Sequence, residues 1–545
     1  MPALGGLAIG ALIAGVVFGA LFESVPERVG GQFARAWRAQ DYAGMHQLLG
    51  ADAQARYPLE AFRGAYEEAA AVATARQVRP EDLDGIDDGA VRLQVTAETR
   101  LFGTVRGEVR LPINEDDGTV VWAPHLVFPG LALGVELTRG VEVPRRAKIL
   151  SVDGQVLAEG PAEARTSPAD GIGSSIAGTV AVSEDPEERR ALFARGFNED
   201  TPVGASGLER ALQRRVEGKP GGELIAGSRV LARSKPIRAK PVRSTIDTNL
   251  QSAAVTALAG RLGGIAALDP KTAEVRALAG IAFSAPQPPG STFKIVTTTA
   301  ALDHRLVKPS DEFEVASSAL VDGVPLSNAN GEFCGGTFTD SFAHSCNSVF
   351  APLGVKVGAK RLVATAERFG WNEEPTIPGA LPSTLPEAGE MASDLEIGSS
   401  AIGQGRVLAT PLQLASVSQT IANDGVRVIP TLVPGAERQT KRVTSAKTAS
   451  TIEELMIGVV GYGTGTAAAI PGVKVAGKTG TAELEDTRGP DATVSDPSNT
   501  DAWFTAYAPA RRPKVVVAAL FVRNGAGGAV AAPAARIVLG AALGK

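Results

Sequence analysis

Hydrophobic and polar positions change their rhythm several times along the chain. Residues 3–22 carry no charge and are rich in Gly and Ala; at helical rise they span about 30 Å, one bilayer core. This predicts a membrane anchor over residues 1–23. A cleaved signal peptide and a buried helix are the alternatives, but no clean small-x-small cleavage site follows the run. Val29, Phe33, Trp37, Leu48 and Leu49 recur at helical spacing through 27–49, and 58–77 repeats the pattern. Strand-like alternation then appears at 91–99, 104–111 and 120–127, with the turn Asp116-Asp117-Gly118 between the last two. Helices followed by an antiparallel sheet predict a compact α+β unit over 24–140.

Residues 141–235 are rich in charge and turns. Short strands flank Asp153-Gly154, helices are expected at 187–197 and 206–216, and Pro220-Gly221-Gly222 reads as a turn. Residues 236–545 form the longest coherent stretch. A helix is expected at 250–262, strands at 263–268 and 274–278, and a helix after Gly290. Three strands are expected at 473–483, 502–507 and 515–522, then a closing apolar helix at 529–543. Strands at both ends with helices between predict one sheet joined from N- and C-terminal pieces.

Composition narrows the chemistry. Apolar residues make up 44% and charged residues 21% of 545, so a large core is available and disorder is excluded. The formal net charge of −5 argues against nucleic acid as a partner. Two cysteines exclude a disulfide-stapled scaffold, and four histidines leave little for a metal site. No cofactor is expected.

Three short motifs carry the reactivity. Ser291-Thr292-Phe293-Lys294 follows Pro288-Pro289-Gly290, so Ser291 falls at a helix start and Lys294 lies on the same side three residues on. A serine hydroxyl needs a base, and a lysine whose pKa is lowered by burial or a nearby cation can serve. In Ser345-Cys346-Asn347 the hydroxyl can relay a proton, and the amide can hold both a substrate carbonyl and a lysine. In Lys478-Thr479-Gly480-Thr481 Lys478 offers a positive charge and a reason for Lys294 to be neutral. Thr479 offers a hydroxyl to a carboxylate, and Gly480 allows close backbone approach. The N–H groups of Ser291 and Thr481 would form an oxyanion hole. Residues 472–479 also match a phosphate-binding loop letter for letter, but that loop must follow a buried strand and open a helix. Here the interior alternates as a strand and leads into a loop, so the nucleotide reading fails its context.

The three motifs, in this order, resemble the penicillin-binding proteins, the serine D,D-transpeptidases related to the serine β-lactamases. Arg243-Ser244-Thr245-Ile246-Asp247 with Asn249-Leu250-Gln251, Gly403-Gln404-Gly405 and 409–413 support the match. Ser206-Gly207-Leu208-Glu209 resembles the family's pedestal, or dimerisation, domain. Residues 24–140 are similar to the nuclear-transport-factor-like domain of methicillin-resistance-type members. The resemblance implies an α+β multidomain chain: anchor 1–23, N-terminal domain 24–140, pedestal 141–235 and transpeptidase domain 236–545.

It also implies a single-pass membrane protein with an extracytoplasmic catalytic domain. The stretch 282–290 before the serine is shorter than is usual in the family, and no glycosyltransferase-like segment is evident. A monofunctional, class B type member is therefore expected, working with a membrane glycosyltransferase or polymerase and other cell-wall assembly proteins. Its substrates would be peptidoglycan stem peptides and their lipid-linked precursor, and β-lactam antibiotics would acylate it. Ser291, Lys294, Ser345, Asn347 and Lys478 would be catalytic, and Thr479, Gly480 and Thr481 would bind substrate. Outside the membrane, Cys334 and Cys346 would form a disulfide, with two reduced buried cysteines as the alternative. A D,D-carboxypeptidase or β-lactamase remains an enzymatic alternative. A non-catalytic β-lactam sensor or scaffold is the other; a sensor would carry a cytoplasmic signalling region, and only residues 1–2 precede the expected anchor.

Overall fold

A computed structural model describes residues 23–168, 171–484 and 497–545. Residues 1–22 of the anchor expected at 1–23 lie outside them. Among the described residues no helix is long and apolar enough to cross a membrane. The chain divides into two compact units. The first holds the N-terminal region to Arg146 with residues 182–203 and 217–239, and the second holds 147–181, 204–216 and 240–545. Residues 141–235 are thus distributed over both.

In the first unit, α1 (Val25–Arg38) begins at a capping box between Ser24 and Glu27, with Pro26 in its first turn. The helix expected to run through 27–49 breaks at Gln40, whose φ is +56°. Asp41 then caps a new short helix, Tyr42–Gln47, by accepting from Gly44 N at 2.9 Å. α2 (Leu59–Val72) follows. Next come β1 (Ala75–Asp87), β2 (Ala90–Thr99), β3 (Thr104–Asn114) and β4 (Thr119–Val120), an antiparallel sheet in sequence order. The 13-residue β1 is absent from the hydrophobic pattern. It is an edge strand, mostly exposed, with Pro80 and register shifts inside it, and an edge tolerates both proline and charge. The strand expected at 120–127 ends almost at once, because Pro124 opens a 3-10 turn, Pro124–Val127. Trp37, Phe62, Tyr66 and Trp122 fill the core, where Trp122 Nε1 donates to Tyr66 Oη at 3.0 Å.

A second sheet of this unit pairs β5 (Leu137–Glu142), β6 (Gly221–Ala226) and β7 (Arg229–Ser234), with β6 central. Gly221-Gly222 is therefore strand rather than turn. A Cβ on Gly222 would collide with the carbonyl of Gly140, so glycine there serves close approach of two backbones.

The second unit is organised on five antiparallel strands. α3 (Thr248–Leu258) is capped by Asp247, which accepts from Leu250 N at 3.0 Å. β8 (Gly263–Leu268) and β9 (Val275–Gly280) follow, and from the far end of the chain come β10 (Ala476–Glu483), β11 (Thr500–Ala508) and β12 (Val515–Phe521). The order is β9-β8-β12-β11-β10, so N- and C-terminal pieces meet at the β8–β12 pair. β8, β11 and β12 are buried throughout, as strands covered on both faces must be. α3 and the closing helix (Ala531–Leu543) pack on the sheet, and so does a buried helix, Pro411–Ala422. β10 is an edge strand, and its free edge lies against the turn Gly290–Phe293.

Candidate active site

Gly290–Phe293 is a 3-10 turn that runs directly into α4 (Lys294–Asp303). Ser291 therefore precedes the α-helix by one tight turn. Side chains three apart eclipse in such a turn, which sets Ser291 and Lys294 on one side. Four contacts fix the turn. Gly290 N donates to Gly403 O at 2.9 Å, Thr292 Oγ1 to Pro289 O at 2.7 Å, and Trp503 Nε1 to Pro288 O at 2.7 Å. Gln287 exchanges backbone bonds with Ala409. Gly290 has φ +52°, and a Cβ there would lie 2.8 Å from Thr481 O, so only glycine lets the turn press on β10.

α4 is buried along nearly its whole length, from Lys294 through Ala301. A lysine rooted in such a helix cannot reach bulk water. Its Nζ donates to Ser345 O at 2.7 Å and Asn347 Oδ1 at 2.7 Å, and lies 3.3 Å from Ser345 Oγ. A neutral amine has two N–H bonds and one lone pair. The two short contacts use both N–H bonds, which leaves the lone pair free to take a proton.

Ser345 sits in the tight link between the short helix Phe338–Ala343 and α5 (Asn347–Val357), with φ +64°. A non-glycine residue held there carries backbone strain of about 1–3 kcal/mol. Cys346, the N-cap of α5, is bonded to Cys334, and this ties the link to the strand Cys334–Thr337. Asn347 Nδ2 donates to Ser327 O at 2.7 Å while its Oδ1 faces Lys294, so both ends of the amide are fixed.

β10 brings the third motif. Lys478 is fully buried, and its Nζ donates to Ser345 Oγ at 2.8 Å and Thr479 O at 3.2 Å. Burial, and then the charge of Lys478, holds Lys294 well below the ordinary lysine range. Burial also pulls Lys478 down to about 7. Two amines converging on one serine hydroxyl cannot both stay charged at low cost, and Lys294 is the one that gives up its proton. The rings of Phe350 and Phe342 lie 5.1 and 5.6 Å from the two nitrogens. Thr481 Oγ1 accepts from Gly527 N at 3.2 Å, and Gly480 packs against Pro289 and Thr292.

The structure thus places Lys294, Ser345, Asn347 and Lys478 in one hydrogen-bonded group, with Ser291 on the adjoining turn and Thr479, Gly480 and Thr481 on the strand beside it. Residues 472–479 lead into that strand and not into a helix, which removes the phosphate-loop geometry. The segment Gly403-Gln404-Gly405, which the sequence singled out for its family resemblance without giving it a role, supplies two supports. Gly403 follows the helix Asp394–Ala401 and holds Gly290. The amide of Gln404, turned to satisfy both groups, pairs with the N–H and carbonyl of Glu483 at 3.2 and 3.3 Å. Sequence reasoning missed Thr464, whose Oγ1 lies 2.5 Å from Thr479 Oγ1.

The penicillin binding protein transpeptidase domain family matches residues 263–540. The chain is 38% identical over 288 residues to peptidoglycan D,D-transpeptidase PbpA of Mycolicibacterium smegmatis, covering 48% of this chain and 56% of that protein. It is 26% identical over 394 residues to peptidoglycan D,D-transpeptidase MrdA of Acinetobacter baumannii, covering 60% and 59%. The matches thus span little more than half the length of these curated relatives. Among solved structures, the D,D-transpeptidase domain of a peptidoglycan glycosyltransferase from Eggerthella lenta aligns with TM-score 0.59 and 31% identity, covering 74% of this chain and 98% of that one. The penicillin G acyl-enzyme complex of penicillin-binding protein A from M. tuberculosis aligns with TM-score 0.58 and 26% identity, covering 73% and 99%. Fold, site and sequence agree: this chain belongs to the penicillin-binding protein transpeptidase family.

Proposed function

We propose that the protein is a peptidoglycan D,D-transpeptidase acting through an acyl-enzyme on Ser291. The observation that carries the reading is the shared hydroxyl of Ser345, which Lys478 reaches at 2.8 Å while Lys294, with its pKa lowered, lies 3.3 Å away. Ser291 attacks the carbonyl between the two terminal D-alanines of a stem peptide, and Lys294 takes its proton. The N–H groups of Ser291 and Thr481 hold the oxyanion. The amide bond breaks, and the departing D-Ala nitrogen receives a proton through Ser345, with Lys478 at its back. Thr479 receives the terminal carboxylate. An amine of a second stem peptide then attacks the ester, forms the cross-link and frees Ser291. A β-lactam follows the first half of this path, and the opened ring stays on the serine.

Around this core we place a membrane anchor at 1–23, a methicillin-resistance-type N-terminal domain at 24–140 and a pedestal at 141–235. The helices and four-stranded sheet of the first unit, and the buried Arg165–Glu209 pair at 2.7 Å beside 206–209, support these assignments. Glycan strands would come from a partner polymerase at the membrane.

The test supplies the full-length protein and a polymerase with lipid-linked precursor. Cross-linked dimers with release of D-Ala, both lost in Ser291→Ala, are expected. D-Ala release without dimers would make it a carboxypeptidase. Neither product, with penicillin still bound, would make it a sensor or scaffold.

A further inference from the structure

Thr464 joins the two halves of the site, although it belongs to none of the three motifs. It follows α6 (Ala446–Gly461) in the turn Tyr462-Gly463-Thr464-Gly465. Its N–H donates to Ala343 O at 3.1 Å, two residues before Ser345. Its Oγ1 lies 2.5 Å from Thr479 Oγ1 and 3.4 Å from Ala343 O. Two glycines make this placement possible. A Cβ on Gly463 would strike Ala343 O, and a Cβ on Gly528 would strike Thr464 O. The backbone of Thr464 is therefore clamped from both sides.

A threonine hydroxyl has one proton and two lone pairs. Thr479 helps a carboxylate only if its single proton points at that carboxylate. Thr464 decides this: when it donates to Thr479 Oγ1, the proton of Thr479 has to look elsewhere. When Thr464 instead donates to Ala343 O, Thr479 is left to spend its proton on Thr464. We propose that Thr464 is a positioning residue, which orients the Thr479 hydroxyl as a donor to the carboxylate of the stem peptide or β-lactam. The claim rests on the proposed acyl-enzyme function and deepens it: recognition of the carboxylate is a two-hydroxyl relay, anchored to the turn that carries Ser345.

The test compares acylation rates for benzylpenicillin and its methyl ester, which differ only in the charged carboxylate, in the full chain. Wild type is expected to prefer the acid. Thr464→Val keeps the shape and removes the hydroxyl, and is expected to lower that preference about tenfold, the scale of one hydrogen bond to a charged group. Thr464→Ser restores it. Equal slowing of acid and ester in Thr464→Val means a merely structural role and overturns the proposal. So does a serine variant that behaves like the valine variant while melting like wild type. Wild type inert to both compounds overturns the acyl-enzyme reading itself, a different result from an unchanged preference in an active enzyme.

Discussion

Lys478 Nζ donates to Ser345 Oγ at 2.8 Å, across a sequence separation of 133. This bond joins an edge strand built from the C-terminal part of the chain to a helix link near its middle. Lys294 approaches the same hydroxyl from a third element. The proposed chemistry depends on keeping two lysines dry and unequal.

The pH dependence follows. In the proposed mechanism Lys294 must be neutral to accept a proton, and Lys478 must be charged to assist. Burial lowers both, Lys294 further because it also feels Lys478. The acylation rate constant, followed between about pH 4 and 10, should be bell-shaped. Its alkaline limb should begin near 7, where Lys478 loses its proton. In Lys478→Arg, where the charge persists, that limb should vanish even if the maximum falls. A rate still climbing well above neutrality in wild type would contradict these roles.

Stability should move the opposite way to activity. Between about 7 and the unfolded value of 10.5, the unfolded chain binds a proton at Lys478 that the native state does not. Native stability therefore rises with pH across that window. Lys478→Met removes the cost of burial and should stabilise the fold at pH 7 by about 1–2 kcal/mol. The gap should close toward pH 10.5, while penicillin acylation is lost at every pH. Denaturant melts at pH 7 and 10 measure it, and a variant less stable at both would contradict it.

The turn that carries Ser291 should be intolerant of a single methyl group. Gly403 has φ +77°, and its Cβ would collide with Gly290 O. Gly403→Ala should cost about 1–3 kcal/mol and slow acylation far more than its loss of stability explains, because the displaced group adjoins Ser291. Melting temperature and acylation rate, measured together, decide this.

The bridge between Cys334 and Cys346 should matter to Ser345 and Asn347 above all. It spans a sequence separation of 12 and ends on the N-cap of the helix that begins with Asn347. Replacing both cysteines with serine should lose up to about 3 kcal/mol and slow acylation. Unchanged acylation in the folded double variant would make the bridge a stabiliser only.

The second unit was readable where burial imposes one pattern. β8, β11 and β12 are covered on both faces; β8 and β12 read as unbroken apolar runs, and β11 as an apolar run with Asp501 and Thr505 inside it. β1 was invisible because an exposed edge strand may carry Arg76, Glu81, Asp82 and Asp84 at no cost. Gly221-Gly222 misled because close approach of strands and a tight turn ask for the same residue. In the site, Lys294, Asn347 and Lys478 announced themselves as reactive groups at telling spacings. Gly403 stood out only through the family resemblance and not by its role, since it acts through the absence of a side chain, and Thr464 did not stand out at all, since it acts through a turn near Ala343, 121 residues away. Such contacts exist only once the chain has folded.

The central claim is that Ser291 is the nucleophile. Intact-protein and peptide mass spectrometry after exposure to benzylpenicillin tests it most directly. The account predicts one whole antibiotic added per chain, carried on the peptide with Ser291 and absent from Ser291→Ala. A folded wild type that gains no mass, or an adduct on any other residue that survives in Ser291→Ala, would contradict it.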